Sequence, residues 1–162
     1  MTAGRTSTVV VGLGNPYRRD DGVGVAVAAA LGDLALPNVA VTAGVADPMG
    51  LVEAWSGAGL AIVIDAAAAT PPAPGRVRRC TLADLRAGRD GCSSHGVDVG
   101  RAHELAQALG RAPDKLVVLA IEVADTGHGA GLTPLVSRAV PEAVRLALAE
   151  IGAEITRADA GT

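Results

Sequence analysis

The chain has no phenylalanine, one tryptophan and one tyrosine, although hydrophobic residues make up 49% of its 162 positions. A core without large rings must be built from Val, Leu, Ile and Ala, whose small volumes imply tight backbone approach between elements. The same scarcity argues against single-stranded nucleic acid as a partner, since such ligands are gripped partly by stacking on aromatic side chains. An excess of basic charge is missing too. Fourteen Lys and Arg stand against 17 Asp and Glu, a formal net charge of −3, and the basic residues are scattered. No electrostatic footprint for a phosphate backbone results.

Cys80 and Cys92 are the only two cysteines. They are too few for a disulfide framework and do not form a CxxC pair, so both are expected to be free thiols. No apolar run reaches the ~20 residues of a membrane span. No N-terminal stretch joins a charged start to a sustained apolar segment and a small-residue cleavage site. A soluble cytoplasmic protein without a membrane partner is therefore expected. No long apolar stripe demands self-association, which points to a monomer. The length suits one domain over 1–162, with an ordered core of about 7–156 and fraying at Met1–Thr6 and Arg157–Thr162.

What is present is an alternation of strand and helix patterns. Ser7 to Leu13 reads as an apolar strand and Asp20 to Leu31 as a helix of small aliphatic residues. Val39 to Val41 is a brief strand, after which Asp47-Pro48 has the form of an N-cap followed by proline in the first turn. Leu60 to Ile64 is a continuous apolar run ending at Asp65, as in a strand covered on both faces. Ala66 to Pro74 reads as loop, and Gly75 to Leu82 as an edge strand with alternating Arg and apolar residues. Val99, Ala102, Leu105, Ala106 and Leu109 recur at helical spacing, with Gly110 as a stop. Leu116 to Ile121 is another buried strand, Gly127 to Gly131 a loop, and Thr133-Pro134 opens a helical region that Pro141 is expected to split.

This order predicts an α/β fold: a three-layer αβα sandwich around a mostly parallel twisted sheet of about five strands. Ligands in such folds bind beyond the carboxyl ends of the strands, which directs attention to the loops after Leu13, Asp65 and Ile121.

Gly12-Leu13-Gly14-Asn15-Pro16 follows a strand and precedes a helix, yet it is no dinucleotide fingerprint. The third glycine of GxGxxG would fall at Tyr17, and no GK[ST] follows to make a phosphate loop. The glycines instead let the chain turn and present Asp20-Asp21-Gly22-Val23-Gly24. Asp20 is explained by helix capping. Asp21, a second acid at the same start, is favoured by the helix dipole but is not needed as a cap. Asp65 at a strand end suits either a structural or a chemical role, as does His95 in Ser93-Ser94-His95-Gly96. Together, Asp21, Asp65 and His95 come from three segments that the fold should bring to one sheet edge. Two carboxylates and an imidazole form a mixed oxygen and nitrogen set suited to nickel or zinc with open coordination positions. No Ser or Cys beside a base supplies a nucleophile.

These residues resemble the hydrogenase maturation proteases. Gly12-Leu13-Gly14-Asn15 through Asp20-Asp21-Gly22-Val23-Gly24 is similar to the family's opening motif, and Ile62-Val63-Ile64-Asp65-Ala66 to its strand ending in Asp. Pro74-Gly75-Arg76-Val77 is similar to the following Pro-Gly turn, Ser94-His95-Gly96 to the histidine motif, and Gly131-Leu132-Thr133-Pro134 to the late Gly-Leu-Ser/Thr-Pro element. The likeness runs over roughly residues 8 to 151. It implies a phosphorylase/hydrolase-like fold and an endopeptidase that removes the C-terminal extension of a nickel-iron hydrogenase large-subunit precursor after nickel insertion. It also implies that Asp21, Asp65 and His95 are the catalytic and metal-recognition residues. They would contact nickel supplied by the precursor, with zinc or another divalent ion taking the site in isolation. Asp21 stands where the family also uses Glu. Ala43-Gly44-Val45 departs from the family's Gly-Gly-Thr-like segment, so no role is carried onto it, and Asp47 is read as a cap.

His103 and His128 are read as solvated or cap-like, and Asp125 as a candidate for shaping the cleft. Peptidyl-tRNA hydrolase shares the Gly-Leu-Gly-Asn-Pro opening, but Arg19-Asp20-Asp21-Gly22 lacks the histidine that enzyme needs there, and the acidic balance does not suit tRNA. A non-catalytic nickel carrier built on the same three ligands is the other alternative.

Overall fold

The computed structural model describes residues 8–92 and 96–161. Four runs rich in β-branched and aliphatic residues and one more polar strand form one sheet: β1 (Thr8–Leu13), β2 (Val39–Val45), β3 (Leu60–Ala67), the polar β4 (Val77–Thr81) and β5 (Lys115–Glu122). Their order is β2-β1-β3-β5-β4. β1 pairs in parallel with β2 and β3, and β3 with β5, while β4 runs antiparallel along β5. Every residue of β3 is buried, which is why its sequence is a near-continuous apolar run rather than an alternation. β4, which carries Arg78 and Arg79, lies at an edge as expected.

The helices are α1 (Val23–Asp33), α2 (Pro48–Trp55), α3 (Leu82–Arg86), α4 (Val99–Ala108) and α5 (Pro134–Ala160). On one face of the sheet, Val9, Val11, Val63 and Val118 pack with Leu51 and Trp55 of α2 and Ala102 of α4. On the other, Val10, Ile62, Ile64 and Leu119 pack with Val27 and Leu31 of α1 and Ala143 of α5. Each fully buried Leu or Ile contributes about 1.5–3 kcal/mol, so the two layers together hold the sandwich. Small residues allow the closeness that the missing rings imply. A Cβ on Gly24 would lie 2.3 Å from the carbonyl oxygen of Ile64 and 2.6 Å from that of Leu13, so α1 rests directly on the backbones of β1 and β3.

Several expectations are corrected. Pro141 does not split the last helix: α5 is continuous over 27 residues with Pro141 inside it. The carbonyl that Pro141 leaves without a donor belongs to Ser137, which is exposed and reachable by water. The buried stripe Val136, Ala139, Ala143, Ala147, Ile151 runs straight through, and its burial outweighs the lost bond. The same helix carries the chain past Arg157 to Ala160, where fraying was expected.

The first helix is also different, opening with a separate 3₁₀ turn, Arg19–Gly22, ahead of α1. α3, at five residues too short to show a helical apolar period, starts with a reciprocal capping box of Thr81 and Asp84. Asp47 does cap α2, accepting from the Gly50 N–H at 2.7 Å.

Cys80 and Cys92 are not free thiols. Their Sγ atoms are bonded, with Cα atoms 6.0 Å apart. Cys80 points from β4 into the layer beneath α4, and α3 turns the chain back so that Cys92 meets it in the same buried cluster. Sequence spacing carries no sign of that return. Among the described residues, no helix is long and apolar enough to cross a membrane.

Candidate functional site

The chain leaves β1 toward β2 on one side, and β3 lies on the other. Such a switch point opens a crevice at the carboxyl ends of the strands. Gly14 makes the turn out of β1 with φ +105°, and a Cβ there would sit 1.9 Å from the Asp21 carbonyl oxygen. The loop therefore folds flat onto the 3₁₀ turn. Its Asn15 N–H donates to Asp21 Oδ2 at 2.8 Å, which fixes the half-buried carboxylate in orientation. Asp21 and Asp65 then line one cavity of about 290 Å³, together with Gly44, Val45, Gly96 and Val97.

Asp65 is only 6% exposed. The strand runs past it to Ala67 rather than ending there, and its Oδ1 accepts from the Ala66 N–H at 2.9 Å. It also lines a second cavity of about 330 Å³ walled by Leu85, Val99 and Ala120 and carrying Asp84, Arg89 and Asp98. Gly96 borders both cavities. Two of the three expected ligands thus share a cavity, and the third, His95, lies outside the described residues. Among those described, no group of three or more His, Cys, Asp or Glu is placed to hold a metal ion.

Asp20 does not cap its helix. It is fully buried and reaches across to the segments after β5. Oδ2 accepts from the Ala124 and Asp125 N–H groups at 3.0 and 2.9 Å, and Oδ1 from the Thr133 N–H at 2.7 Å. The Thr133 hydroxyl donates to the same carboxylate, lying 2.8 Å from Oδ2. Burial pushes the carboxyl up, but these hydrogen bonds outweigh it and hold Asp20 below its ordinary value. Asp125 beside it accepts from Gly127 N–H at 2.8 Å within its own loop and stands 3.5 Å from Arg19, tying that loop to the turn before α1.

His128 is exposed, as expected. His103 is not: it is 5% exposed and packs edge-on against Trp55, with ring centroids 6.2 Å apart. Burial, then the charge of Arg86, lowers its affinity for a proton, with Glu104 opposing. Glu122 is a further buried acid that the sequence reading does not single out. It is 2% exposed at the end of β5, and its Oε1 accepts from the Ala73 N–H. Its backbone carbonyl accepts from Gly75 N–H at 2.8 Å, so it pins the Pro-rich loop. The available signal was an apolar run ending in an acid, the same pattern that drew attention to Asp65.

A three-layer α/β sheet whose switch-point crevice gathers two carboxylates defines a class of protein that handles its ligand beyond the strand ends. The model of the family described as HycI, hydrogenase maturation protease, matches residues 25–150. The chain belongs to the hydrogenase maturation protease family, and is a maturation endopeptidase and hence a hydrolase. The matched span contains Asp65 and His95 and begins after Asp21. Among solved structures, the chain is similar to the hydrogenase maturating endopeptidase HybD from E. coli, with 21% identity and a TM-score of 0.72, covering 90% of this chain and 92% of that one. It is also similar to the [NiFe] hydrogenase maturation protease HybD from Thermococcus kodakarensis, at 22% identity and TM-score 0.74 over 90% and 99% of the two chains. The HycI protease of the same organism gives 23%, 0.70, and coverage of 92% and 94%. These likenesses show the fold. No curated protein matches the chain in sequence.

Proposed function

We propose that this endopeptidase removes the C-terminal extension of a nickel-iron hydrogenase large-subunit precursor once nickel is in place, and that Asp21, Asp65 and His95 read the nickel the precursor carries. The observation that carries the reading is the shared cavity: two carboxylates from separate segments face one space at the strand ends. Their chemistry fits a borderline divalent ion, and an imidazole would complete a mixed set that leaves positions open for the substrate's own ligands. Nickel is then part of the substrate and reports that the precursor is ready. Zinc or another divalent ion would occupy the same donors only weakly in the isolated protein.

The residues of the chain orient and exclude rather than attack. Asn15 N–H holds Asp21 and Ala66 N–H holds Asp65, so neither carboxylate must reorganise when the ion arrives. The two sulfurs, joined to each other, supply no thiolate, which supports attack by water. An ion seated between these groups and the precursor would act as a Lewis acid on the scissile carbonyl or that water. The cytoplasm, where such a precursor would be made, is the expected compartment.

The test mixes the protein with nickel-loaded and nickel-free precursor and follows mass loss from the precursor. Cleavage confined to the loaded form is expected. Equal cleavage of both would remove nickel from the reading, and no cleavage of either, with tight metal binding by the isolated protein, would point to a carrier.

A further inference from the structure

The 3₁₀ turn that carries Asp21 has no side-chain cap of its own. Besides the local bond from Asp21 N–H to the Arg18 carbonyl at 3.1 Å, its anchors are remote in sequence. Asp20 N–H donates to the Asp125 carbonyl at 2.9 Å, Arg19 N–H to that of Gly129 at 2.9 Å, and Gly129 N–H to that of Tyr17 at 3.0 Å. Arg18 and Gly129 form an isolated parallel bridge. Arg19 sits at φ +48°, a left-handed conformation uncommon outside glycine. Such a conformation persists only where surrounding contacts over-determine it. Within this web the buried Asp20 carboxylate is the hub, gathering N–H groups from Ala124, Asp125 and Thr133 and the Thr133 hydroxyl.

We infer that Asp20, clamped by Thr133 and the loop after β5, is the positioning residue for Asp21: it sets the turn so that the Asp21 carboxylate meets Asn15 N–H and faces the cavity it shares with Asp65. This rests on the reading of Asp21 as a metal-recognition group. A carboxylate is required at position 20 because every partner named is a donor; an amide would turn an NH₂ toward one of them. Thr133 contributes through its hydroxyl as well as its backbone, so serine should serve there and valine should not. Asp20 touches neither substrate nor metal in this scheme. Its effect reaches the site only through the placement of its neighbour.

The Asn15 amide reports that placement directly, because it donates to Asp21. Hydrogen exchange of ¹⁵N-labelled protein without substrate is measured beside cleavage of nickel-loaded precursor, for wild type, Asp20→Asn, Thr133→Val, Thr133→Ser and Asp21→Asn. In Asp20→Asn the Asn15 amide is expected to exchange about 10-fold faster while Val63 and Ile64 in β3 keep their rates. kcat is expected to fall about 10-fold or more, with KM within about threefold. Thr133→Val should move both readouts the same way to a smaller extent, and Thr133→Ser should return them to wild type. The inference is overturned if Asn15 stays protected and kcat is retained. It is equally overturned if the Asn15 and β3 amides accelerate together, which would make Asp20 a holder of the fold alone. Should Asp20→Asn fail to fold, the valine and serine variants decide by the same two readouts. Wild-type cleavage by Asp21→Asn would sink the functional reading separately, and the Asn15 amide would still decide the positional claim.

Discussion

Asp21, on the turn before α1, and Asp65, near the end of β3, line the same cavity although one reaches it from a turn and the other from the buried centre of the sheet. The pairing follows from the strand order. β1 and β3 are neighbours, so the turn leaving the first and the last residues of the second must meet at the switch point.

If these two groups and His95 share the substrate's metal, Asp65→Asn keeps the side chain's shape and removes its charge. The rate of cleavage of nickel-loaded precursor by Asp65→Asn, and by His95→Ala, is expected to fall by on the order of 100-fold, at the upper end of what losing even an outer partner of a metal ligand costs. Wild-type rates from the double variant, in a discontinuous gel assay, would refute the ligand set.

His103 gives a pH dependence of stability. Its affinity for a proton is depressed in the folded state, from burial first and Arg86 second, so the unfolded chain binds the proton more readily. Its contribution is therefore complete above the unfolded value of 6.5 and is lost as pH falls below it. Urea unfolding midpoints of the wild type should drop between pH 7 and pH 5, and His103→Leu should flatten that part of the profile. An unchanged slope in the variant would show that another group is responsible.

The disulfide closes a loop between positions 12 residues apart. Constraining the unfolded chain over such a loop is worth about 3 kcal/mol in the chain-entropy account. Cys80→Ala with Cys92→Ala, or treatment with a dithiol reductant, should lower the melting temperature by roughly 6–12 °C. Calorimetry showing no change on reduction would contradict the bond.

Gly24 permits the contact between α1 and the sheet. A methyl group there would overlap the carbonyls of Ile64 and Leu13, so Gly24→Ala should destabilise by about 1–3 kcal/mol despite its better helix propensity. A methyl group on Gly152, in α5, would meet nothing within 4 Å, and Gly152→Ala is expected to stabilise slightly. A matching loss at both positions in denaturant titration would argue against the close approach.

The sequence by itself determined the α/β class, the buried apolar run of β3 that carries Asp65, the Asp47 cap and the edge character of β4, because each is written in local periodicity or in a residue's preference for its own backbone. It also singled out Asp21, Asp65 and His95 as candidates. Tertiary structure alone decided that Asp20 reaches to Thr133 instead of capping its helix, that Cys80 meets Cys92, that His103 is enclosed against Trp55, and that α5 runs unbroken through Pro141. An acid at a helix start looks the same in sequence whether its partners are the next amides or amides a hundred residues away. Which partners it finds depends on how the strands are ordered and what the loops after them bring near, and that is set by packing of the whole core rather than by any window of the chain.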